Sequence, residues 1–576
     1  MSYLDVPRLH FAGTFMANPS TINNTPTNYD PSRVNPSSPI SPGLDLSWNP
    51  YGSHAWTISA QVTSFVDTSG QVHTGGDPLI GATFASYMPQ QVPAKLVDLD
   101  TEQQGVTRLF GLDLQLVLTG GETPSLRGRW ENGGTLVNLW LNRVPSQQGD
   151  SAAGGAFQSV LQNLRWADVA GSALLQQLQD AAGAGLSVRF SVYGFQADNT
   201  SPSFRIGSIM GTIGPQLAGE PLHLPPRLLL PTPASFTPNP LAWAPAKVDT
   251  QRNTVTIDLG NSIPDQSPGG PPVNIGTLEA ATLSTVLGSI DYLGTTFQQT
   301  AGVVQFPITA EQAGQPLSIL ADGTIQLLEN AGGLYIDVDG ASVYMNPGDQ
   351  ASVNLWATEY GAPAAGVQVP LALVPNSPPS DFDNNQPASA LSFPASVTTG
   401  ANGSAPIPLQ ASDPSPLPAG RKNIGGQLYY LGGAWAAGNV WNGDSAGFFS
   451  APLSVKLFNS IDPPITQPTW SDVQPILFKY YYLYAYMASI VDLSNYASVQ
   501  SNAQSIQAVL NLSFDDPNYM PVTREMSNDE RQLILTWIAN GCPQGNDDNV
   551  KKDELRRAAS PAPGDAAPRR RPWSGG

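Results

Sequence analysis

The chain has 576 residues, a formal net charge of −19 and only 12% charged residues, while glycine (55) and proline (54) are abundant. Single hydrophobic cores stop growing at roughly 250–300 residues, so this length predicts several domains. The composition predicts many turns and short strands, and the acidic charge excludes nucleic acid as a favoured partner because the chain repels phosphate backbones. We expect a mainly β, multi-domain protein.

The single cysteine, Cys542, excludes a disulfide framework. The first residues carry neither a basic segment nor an apolar run of the length of a signal peptide. No apolar run reaches the length of a membrane span. We therefore expect a cytoplasmic protein without a membrane span.

The first stretch with an unusual pattern is LDVPRLHFAGTFMANPSTINN (4–24), which contains Arg8 and His10. Its apolar alternation is broken at Pro7, which predicts an edge strand that enters the first sheet, with a bulge permitted at Gly13. By itself this pattern favours a core or edge histidine at His10 over a ligand.

Residues 1–235 alternate short β-patterned runs with Gly, Pro, Asn and Ser. In LSVRFSVYGF (186–195), Val188 faces one side and Arg189 the other, which predicts a half-buried strand. A stripe of leucines near 167–182 predicts one amphipathic helix. The first domain is thus predicted to be β-rich with a single helix.

Prolines in the 225–245 stretch predict a strap between domains, because proline cannot donate to a sheet ladder. A boundary near residue 235 follows. TGANGSAPIPL resembles the turn and strand of Ig-like modules, and the capping box Ser527–Glu530 predicts the start of the last helix. The later divisions are a second β region (236–345), an Ig-like β-sandwich (346–460), a small three-helix bundle (468–545) and a disordered basic tail (546–576).

Catalytic and metal motifs are weak in this sequence. GDSAG (443–447) fits a nucleophile elbow, but the base should follow Ser445 and the last histidine is His223, which favours a turn. DFDNNQ (381–386) lacks the glycine of a calcium loop, and no pair of histidines or cysteines has metal-ligand spacing. We predict no metal site and assign no catalytic residue. The tyrosine-rich run at 480–486 predicts a domain or subunit interface.

Several short motifs together resemble one bacterial enzyme family. They include LDVPRLHFAG, GSHAWTISAQV, LIGATFASYMPQ, SFRIGSIMGTIGPQLAGEPLHLPPRLLLP, YYYLYAYMASIVDL and YMPVTREMS. In these pieces the chain resembles the N-terminal half of the iminophenylpyruvate dimer synthases (chromopyrrolic acid synthases) of violacein and rebeccamycin biosynthesis. The resemblance spans residues 1–541 as scattered motifs, and PRLHF-G and YMP-TRE-S are its most specific parts.

The resemblance implies oxidative coupling of two tryptophan-derived imines, with haem, in enzymes whose other half looks like a ferritin-type helical domain. We therefore expect a stand-alone homologue of the N-terminal half. It would act as a scaffold or partner subunit in specialised metabolism and dock a separately encoded ferritin-like or oxidase partner. The resemblance assigns no catalytic residue to this half.

Two alternatives stay open. In the first, the chain binds non-covalent haem or an indolic or amino-acid-derived ligand. His10 or His54 would then be the axial ligand, Arg8 or Arg524 would pair with a carboxylate, and Tyr519 completes this set of candidate ligand-binding residues. In the second, suggested by the Ig-like module and by three Asn-x-Ser/Thr triplets, the chain is a secreted surface-binding or toxin-like protein.

Overall fold

A computed structural model describes residues 2–18, 53–88, 92–99, 107–140, 142–147, 150–197, 205–232, 241–340, 342–374, 385–417, 426–433, 453–483, 487 and 490–545. The predicted fold class is confirmed: the protein is mainly β, with several sheets and a few helices near the C-terminal end. The predicted tail at 546–576 and the predicted turn at Ser445 lie outside the described residues.

The first sheet closes on itself. Its elements are β1 (Arg8–Ala17), β2 (Ala55–Val66), β3 (Val72–His73), β4 (Thr83–Ser86), β5 (Ala94–Asp98), β6 (Thr107–Phe110), β7 (Asp113–Val117), β8 (Leu126–Trp130), β9 (Leu136–Trp140), β10 (Gly154–Trp166), α1 (Ala173–Ala181), β11 (Leu186–Ala197) and β12 (Arg205–Pro215). Strands pair in the order β1-β12-β11-β10-β8-β7-β4-β2, and β2 pairs back onto β1. This ring of antiparallel strands is a closed barrel, which we call the barrel.

Strand β1 is not the edge strand that the sequence predicts. It pairs with β12 from Leu9 to Ala17 on one side and with β2 from Arg8 to Ala17 on the other. Pro7 lies before the first strand residue, so its missing N–H removes no ladder hydrogen bond. The register shift falls between His10 and Phe11 rather than at Gly13.

Gly13 instead allows two strands to approach closely. A Cβ atom at this position would lie 2.3 Å from the Ser59 carbonyl oxygen and 2.4 Å from Ala60 Cα. Both are backbone atoms that cannot move without opening the β1–β2 pairing that closes the barrel.

A Gly13→Ala substitution is therefore expected to lower the free energy of unfolding by about 2–3 kcal/mol through overpacking. Urea denaturation would measure the loss. The matched control is Gly75→Ala, because a Cβ there meets nothing within 4 Å. Equal stability of the two variants would contradict the close approach.

The barrel interior is packed with aromatic and aliphatic side chains. Leu9, Phe11 and Phe15 of β1 point into this core, where Phe15 stacks on Trp56 with ring centroids 5.9 Å apart. Helix α1 adds Leu174, Leu175 and Leu178 to the same core and begins after Ser172, whose hydroxyl accepts a hydrogen bond from Leu175 N. The predicted helix is present, and Arg8 and His10 lie on the other face of β1.

The second sheet has eight antiparallel strands in the order β17-β16-β19-β20-β13-β14-β15-β18. Its elements are β13 (Arg227–Pro231), β14 (Ala244–Asp249), β15 (Thr254–Asp258), β16 (Leu278–Thr282), β17 (Val286–Ile290), α2 (Thr295–Gln299), β18 (Val303–Pro307), α3 (Ala310–Ala313), β19 (Leu317–Ala321) and β20 (Thr324–Leu328).

The start of this sheet corrects the predicted boundary near residue 235. Strand β13 precedes that boundary, yet it pairs with β14 and β20. Its prolines do not prevent pairing, because Pro225 and Pro226 precede the strand and Pro231 is its last residue. The proline-rich stretch is thus part of the second sheet and not only a strap; residues 233–240 lie outside the described residues.

Two smaller sheets face each other and share one core. One sheet has the order β21-β23-β28-β26 with β24 on β23, and the other has the order β22-β30-β29-β25-β27. The strands are β21 (Leu334–Asp339), β22 (Ser342–Met345), β23 (Gln350–Glu359), β24 (Ala362–Pro363), β25 (Gln368–Leu373), β26 (Leu391–Ser392), β27 (Ser396–Thr398), β28 (Ser404–Ala411), β29 (Gln427–Gly433) and β30 (Leu453–Leu457). We call this region the sandwich; it takes in β21 and β22, which precede the predicted limit at 346.

The C-terminal segment is helical, but its described part has four helices rather than the predicted three, because the second predicted helix is divided at Asn502. Its helices are α4 (Trp470–Leu483), α5 (Tyr496–Ser501), α6 (Ala503–Leu510) and α7 (Asn528–Ala539), which share one apolar core. The predicted capping box is present: the Ser527 hydroxyl and the Glu530 carboxylate each accept a backbone N–H of the other residue. No helix in the described part of the chain is both long and apolar enough to cross a membrane.

Candidate functional site at the junction of the barrel and the second sheet

A row of polar side chains crosses the outer face of the barrel. Ser64, His10, Thr212, Arg189 and Gln158 lie directly opposite one another on the adjacent strands β2, β1, β12, β11 and β10. Every member is buried; Arg189 is the most exposed at 4%. We call these five residues the polar row. Polar side chains on an outer barrel face are buried only where another part of the protein covers them.

The second sheet provides that cover and binds the row. The Ser64 hydroxyl donates to the carbonyl oxygen of Gln299, the last residue of α2, at 2.8 Å. Arg189 Nε lies 3.1 Å from Asp258 Oδ2, and both side chains are less than a tenth exposed. The Tyr3 hydroxyl donates to the same carboxylate oxygen at 3.0 Å. The row therefore joins two regions of the chain.

Burial of Arg189 differs from the sequence prediction. The alternation in β11 predicts a strand with Val188 in the core and Arg189 towards solvent, whereas both faces are buried. The covering sheet is formed by residues more than sixty positions later in the sequence, such as Asp258. Local alternation contains no information about that cover.

His10 is the candidate ligand at the centre of this row. Its ring is fully buried, and a 2.9 Å hydrogen bond joins Nδ1 to Thr212 Oγ1. Burial first, and the nearby Arg8 charge second, hold the pKa of His10 well below its usual range. The imidazole is therefore neutral at physiological pH.

Arg8 lies two residues before His10 and faces the same side of β1. Its Nη1 donates to the Leu4 carbonyl oxygen at 2.8 Å, and its Nη2 donates to Gln305 Oε1 on the second sheet at 3.0 Å. The side chain is 3% exposed, and burial lowers its pKa to about 10. Arg8 thus also bridges the barrel and the second sheet.

The other three candidate residues, His54, Arg524 and Tyr519, lie away from the polar row. His54 precedes β2, ten residues before Ser64, so it is roughly 30 Å along the strand direction from the His10 position. Its ring is buried and Nδ1 lies 3.2 Å from the Leu96 carbonyl oxygen. Burial lowers the pKa of His54 to about 3; the Leu96 hydrogen bond opposes this effect, and Lys95 and Arg524 add to it.

Arg524 organises the loop that precedes α7. Its Nε donates to the Phe514 carbonyl at 3.2 Å, its Nη2 donates to the Asp516 carbonyl at 2.9 Å, and its Nη1 donates to the Val522 carbonyl. Its guanidinium also lies 3.9 Å from the ring centroid of Phe110 in the barrel region. These contacts attach the C-terminal segment to β6.

Tyr519 belongs to the same loop. Its hydroxyl accepts a hydrogen bond from Arg531 Nη2, and the Arg531 guanidinium lies 4.4 Å from the Tyr519 ring centroid. Tyr519 is 7% exposed. The structure therefore brings His54, Arg524 and Tyr519 to one junction, and Arg8 and His10 to another.

Replacing Arg524 with lysine is expected to destabilise this junction by about 3 kcal/mol, because an ammonium group cannot reach several carbonyl oxygens and stack on a ring together. Hydrogen exchange should accelerate over residues 514–526. The control is Arg165→Lys, which changes an exposed arginine in the same way. Unchanged exchange in the Arg524 variant would contradict the assigned role.

Haem, which the family resemblance implies, does not fit these residues. An axial histidine needs an open face beside its free nitrogen, whereas the His10 ring is 0% and His54 is 2% exposed. His10 lies between two paired strands and under the second sheet. In the described residues, no group of three or more His, Cys, Asp or Glu side chains is arranged to hold a metal ion.

One histidine that the sequence did not single out as a site has the most specific contacts. His223 Nδ1 donates to Asp339 Oδ1 of the sandwich at 2.7 Å, and Nε2 donates to Glu131 Oε2 of the barrel region at 2.9 Å. Burial opposes protonation, but the hydrogen bonds to Asp339 and then Glu131 outweigh it and raise the pKa of His223 to about 9. The His223 imidazolium, which donates a hydrogen bond from each ring nitrogen, thus joins the barrel to the sandwich.

Comparisons with known proteins add little to this geometry. No protein-family model and no curated protein matches the chain. One solved structure that was found is similar to a limited extent: the surface layer protein SbsC, domains 1–6, at 10% identity and a TM-score of 0.14, covering 67% of this chain and 53% of that chain. The chain spans about half of that structure, and a similarity this low carries no argument. The fold and its junctions define a mainly β, multi-domain protein.

Proposed function

We propose that the chain is a scaffold subunit in bacterial specialised metabolism of tryptophan-derived or related compounds, where it docks a separately encoded ferritin-like or oxidase partner. One observation carries the scaffold role: buried arginines, among them the candidate ligand-binding residues Arg8 and Arg524, bind other regions of the same chain. Arg8 reaches Gln305, Arg189 reaches Asp258 and Arg524 stacks on Phe110. The specialised-metabolism context comes from the family resemblance.

Buried ion pairs at the junctions support this role. Arg143, which follows β9, lies 3.3 Å from Asp265 of the second sheet region, and both side chains are 4% exposed. Its guanidinium also lies 4.2 Å from the Tyr193 ring centroid. Buried pairs strongly penalise the loss of one partner, so they hold two regions in one arrangement. A protein that positions a partner needs such fixed geometry.

The C-terminal helices are the proposed docking region. The tyrosine run of α4 predicts an interface, and part of it is used within the segment: Tyr480 is 4% exposed and belongs to the helical core. Tyr481 is only partly buried, and the side chains of residues 482–486 lie outside the described residues. Ile490, 59% exposed, adds apolar surface to the C-terminal segment.

The experiment is co-expression of the chain with the product of a neighbouring ferritin-like or oxidase gene, followed by size-exclusion chromatography with light scattering. We expect one complex of defined stoichiometry. An Ile490→Asp variant should weaken the complex, and the matched control Ile206→Asp, which changes an exposed isoleucine of the barrel, should not. Separate elution of the two proteins, or the lack of any such gene in the genome, would refute the proposal.

The alternative oxidative enzyme is tested on the same material. Haem addition to the purified chain would give a Soret band if His10 or His54 served as axial ligand, and His10→Ala would remove or shift it. The buried rings described above favour no band. Finding the protein in culture supernatant would instead favour the secreted surface-binding alternative.

A further inference from the structure

An open cleft lies where the N-terminal segment meets the second sheet. It is small and partly open to solvent, and it is lined by both acidic and basic side chains. The charged residues that line it are Asp5, Arg8, Lys247, Asp249 and Arg252. Gln305 of β18 adds an amide to the same wall.

The carboxylates of the cleft already have cations. Lys247 Nζ lies 2.5 Å from Asp5 Oδ2, and Arg252 Nη1 lies 2.8 Å from Asp249 Oδ2. Arg8, in contrast, makes its hydrogen bonds to neutral oxygens, those of Leu4 and the Gln305 amide. Within the described residues its Nε atom is buried without a hydrogen-bond partner.

A buried guanidinium without a carboxylate contact is costly, since burial removes its hydration and neutral oxygens only partly replace it. Arg8 is only 3% exposed, and it lines the cleft. Burial lowers the pKa of Arg8 to about 10, a value at which it stays charged at physiological pH. The cleft therefore contains a positive group whose charge is not matched at contact distance.

We propose that this cleft binds a small oxyanion of single negative charge, such as a short-chain carboxylate, with Arg8 as its principal partner. The lining has three cations and two carboxylates, so a monoanion would balance its one unmatched positive charge, whereas a dianion would leave an excess negative charge beside Asp5 and Asp249; this favours a carboxylate over phosphate. The chain's net charge of −19 also opposes loose anion accumulation, so binding here requires a specific site. The inference does not rest on the scaffold proposal.

Isothermal titration with sodium acetate, at constant ionic strength set with a large organic salt, tests this inference on the full chain. We expect saturable acetate binding that is weakened about tenfold or more in Arg8→Gln, because one charge-assisted contact is lost. Arg129→Gln is the matched control: it removes an arginine of the exposed pair with Asp113, outside the cleft, and should bind as the parent does. Absence of saturable acetate binding to the parent chain would overturn the inference.

A second variant and a phosphate titration complete the test. If Arg8→Gln does not fold, Lys247→Gln serves instead; it leaves Asp5 unpaired beside the anion and should weaken acetate binding by a similar factor. Sodium phosphate at pH 8 reports the charge selectivity and should bind at least about tenfold more weakly than acetate. The proposed site would be contradicted if the folded variant, Arg8→Gln or Lys247→Gln, bound acetate as tightly as the parent does. It would also be contradicted if phosphate bound as tightly as acetate.

Discussion

Replacing Arg189 with methionine is expected to lower the free energy of unfolding by about 3–5 kcal/mol, because the Asp258 carboxylate would stay buried without its cation. Arg189 and Asp258 are 4% and 9% exposed as side chains and 3.1 Å apart. Tyr3 and the Gly260 N–H would still donate to this carboxylate, but neither compensates its charge. Urea denaturation followed by tryptophan fluorescence measures the loss.

The control for this variant is Arg129→Met. Arg129 also pairs with an aspartate, Asp113 at 2.8 Å, but its side chain is 54% exposed. Exposed pairs contribute only about 0–1 kcal/mol, so the control should be close to the parent. A similar loss in both variants would show that the Arg189 pair has no special structural role.

Raising the pH from 6.5 to 9 is expected to remove about 3 kcal/mol of stability that depends on His223, since the folded-state pKa is about 9 and the unfolded value is near 6.5. Because the pKa is raised, this stabilisation is fully present below pH 6.5, decreases above it and is lost above pH 9. The physical source is the imidazolium held between Asp339 and Glu131.

The measurement is the pH dependence of the unfolding free energy for the parent minus that for His223→Gln. Taking the difference cancels other groups that titrate in this range, such as Lys95, whose pKa is lowered to about 8 by burial. His73→Gln is the control, because its ring bonds to Asp67 within a partly exposed hairpin. A parent-minus-variant difference that stays constant from pH 6.5 to 9 would refute the assignment.

Local patterns predicted the elements that depend on nearby residues. The Ser527–Glu530 capping box placed the start of α7, and the leucine stripe placed α1. These signals act within one or two helical turns, so neighbouring residues contain most of the information. The alternation of β11 likewise placed Val188 and Phe190 in the barrel core.

Contacts between distant parts of the sequence could not be predicted in this way. Pro7 suggested an edge strand, but closure depends on β2 and β12 pairing with β1, a choice made by strands far apart in the sequence. Arg189 looked solvent-exposed because its cover, which contains Asp258, belongs to the second sheet. His223 has no local motif at all; its two carboxylates come from regions before and after it.

For the candidate ligand residues, too, the sequence predicted local features but not contacts with distant parts of the chain. The sequence proposed Arg8 and Arg524 as groups that pair with a ligand carboxylate, and the structure shows both as buried. The structure also gives both a role in joining parts of the chain: Arg8 reaches the Gln305 amide, and Arg524 reaches backbone carbonyl oxygens of its own loop and the Phe110 ring. A single sequence cannot separate these roles, because a buried arginine has the same local signature in both.

The polar row joins the barrel and the second sheet into one scaffold, and hydrogen–deuterium exchange of Arg189→Met against the parent tests this role most directly. We predict faster exchange on both sides of the junction, in β1 (Arg8–Ala17) and β12 (Arg205–Pro215) of the barrel and in β15 (Thr254–Asp258) of the second sheet. Faster exchange confined to the barrel, with β15 unchanged, would contradict the claim.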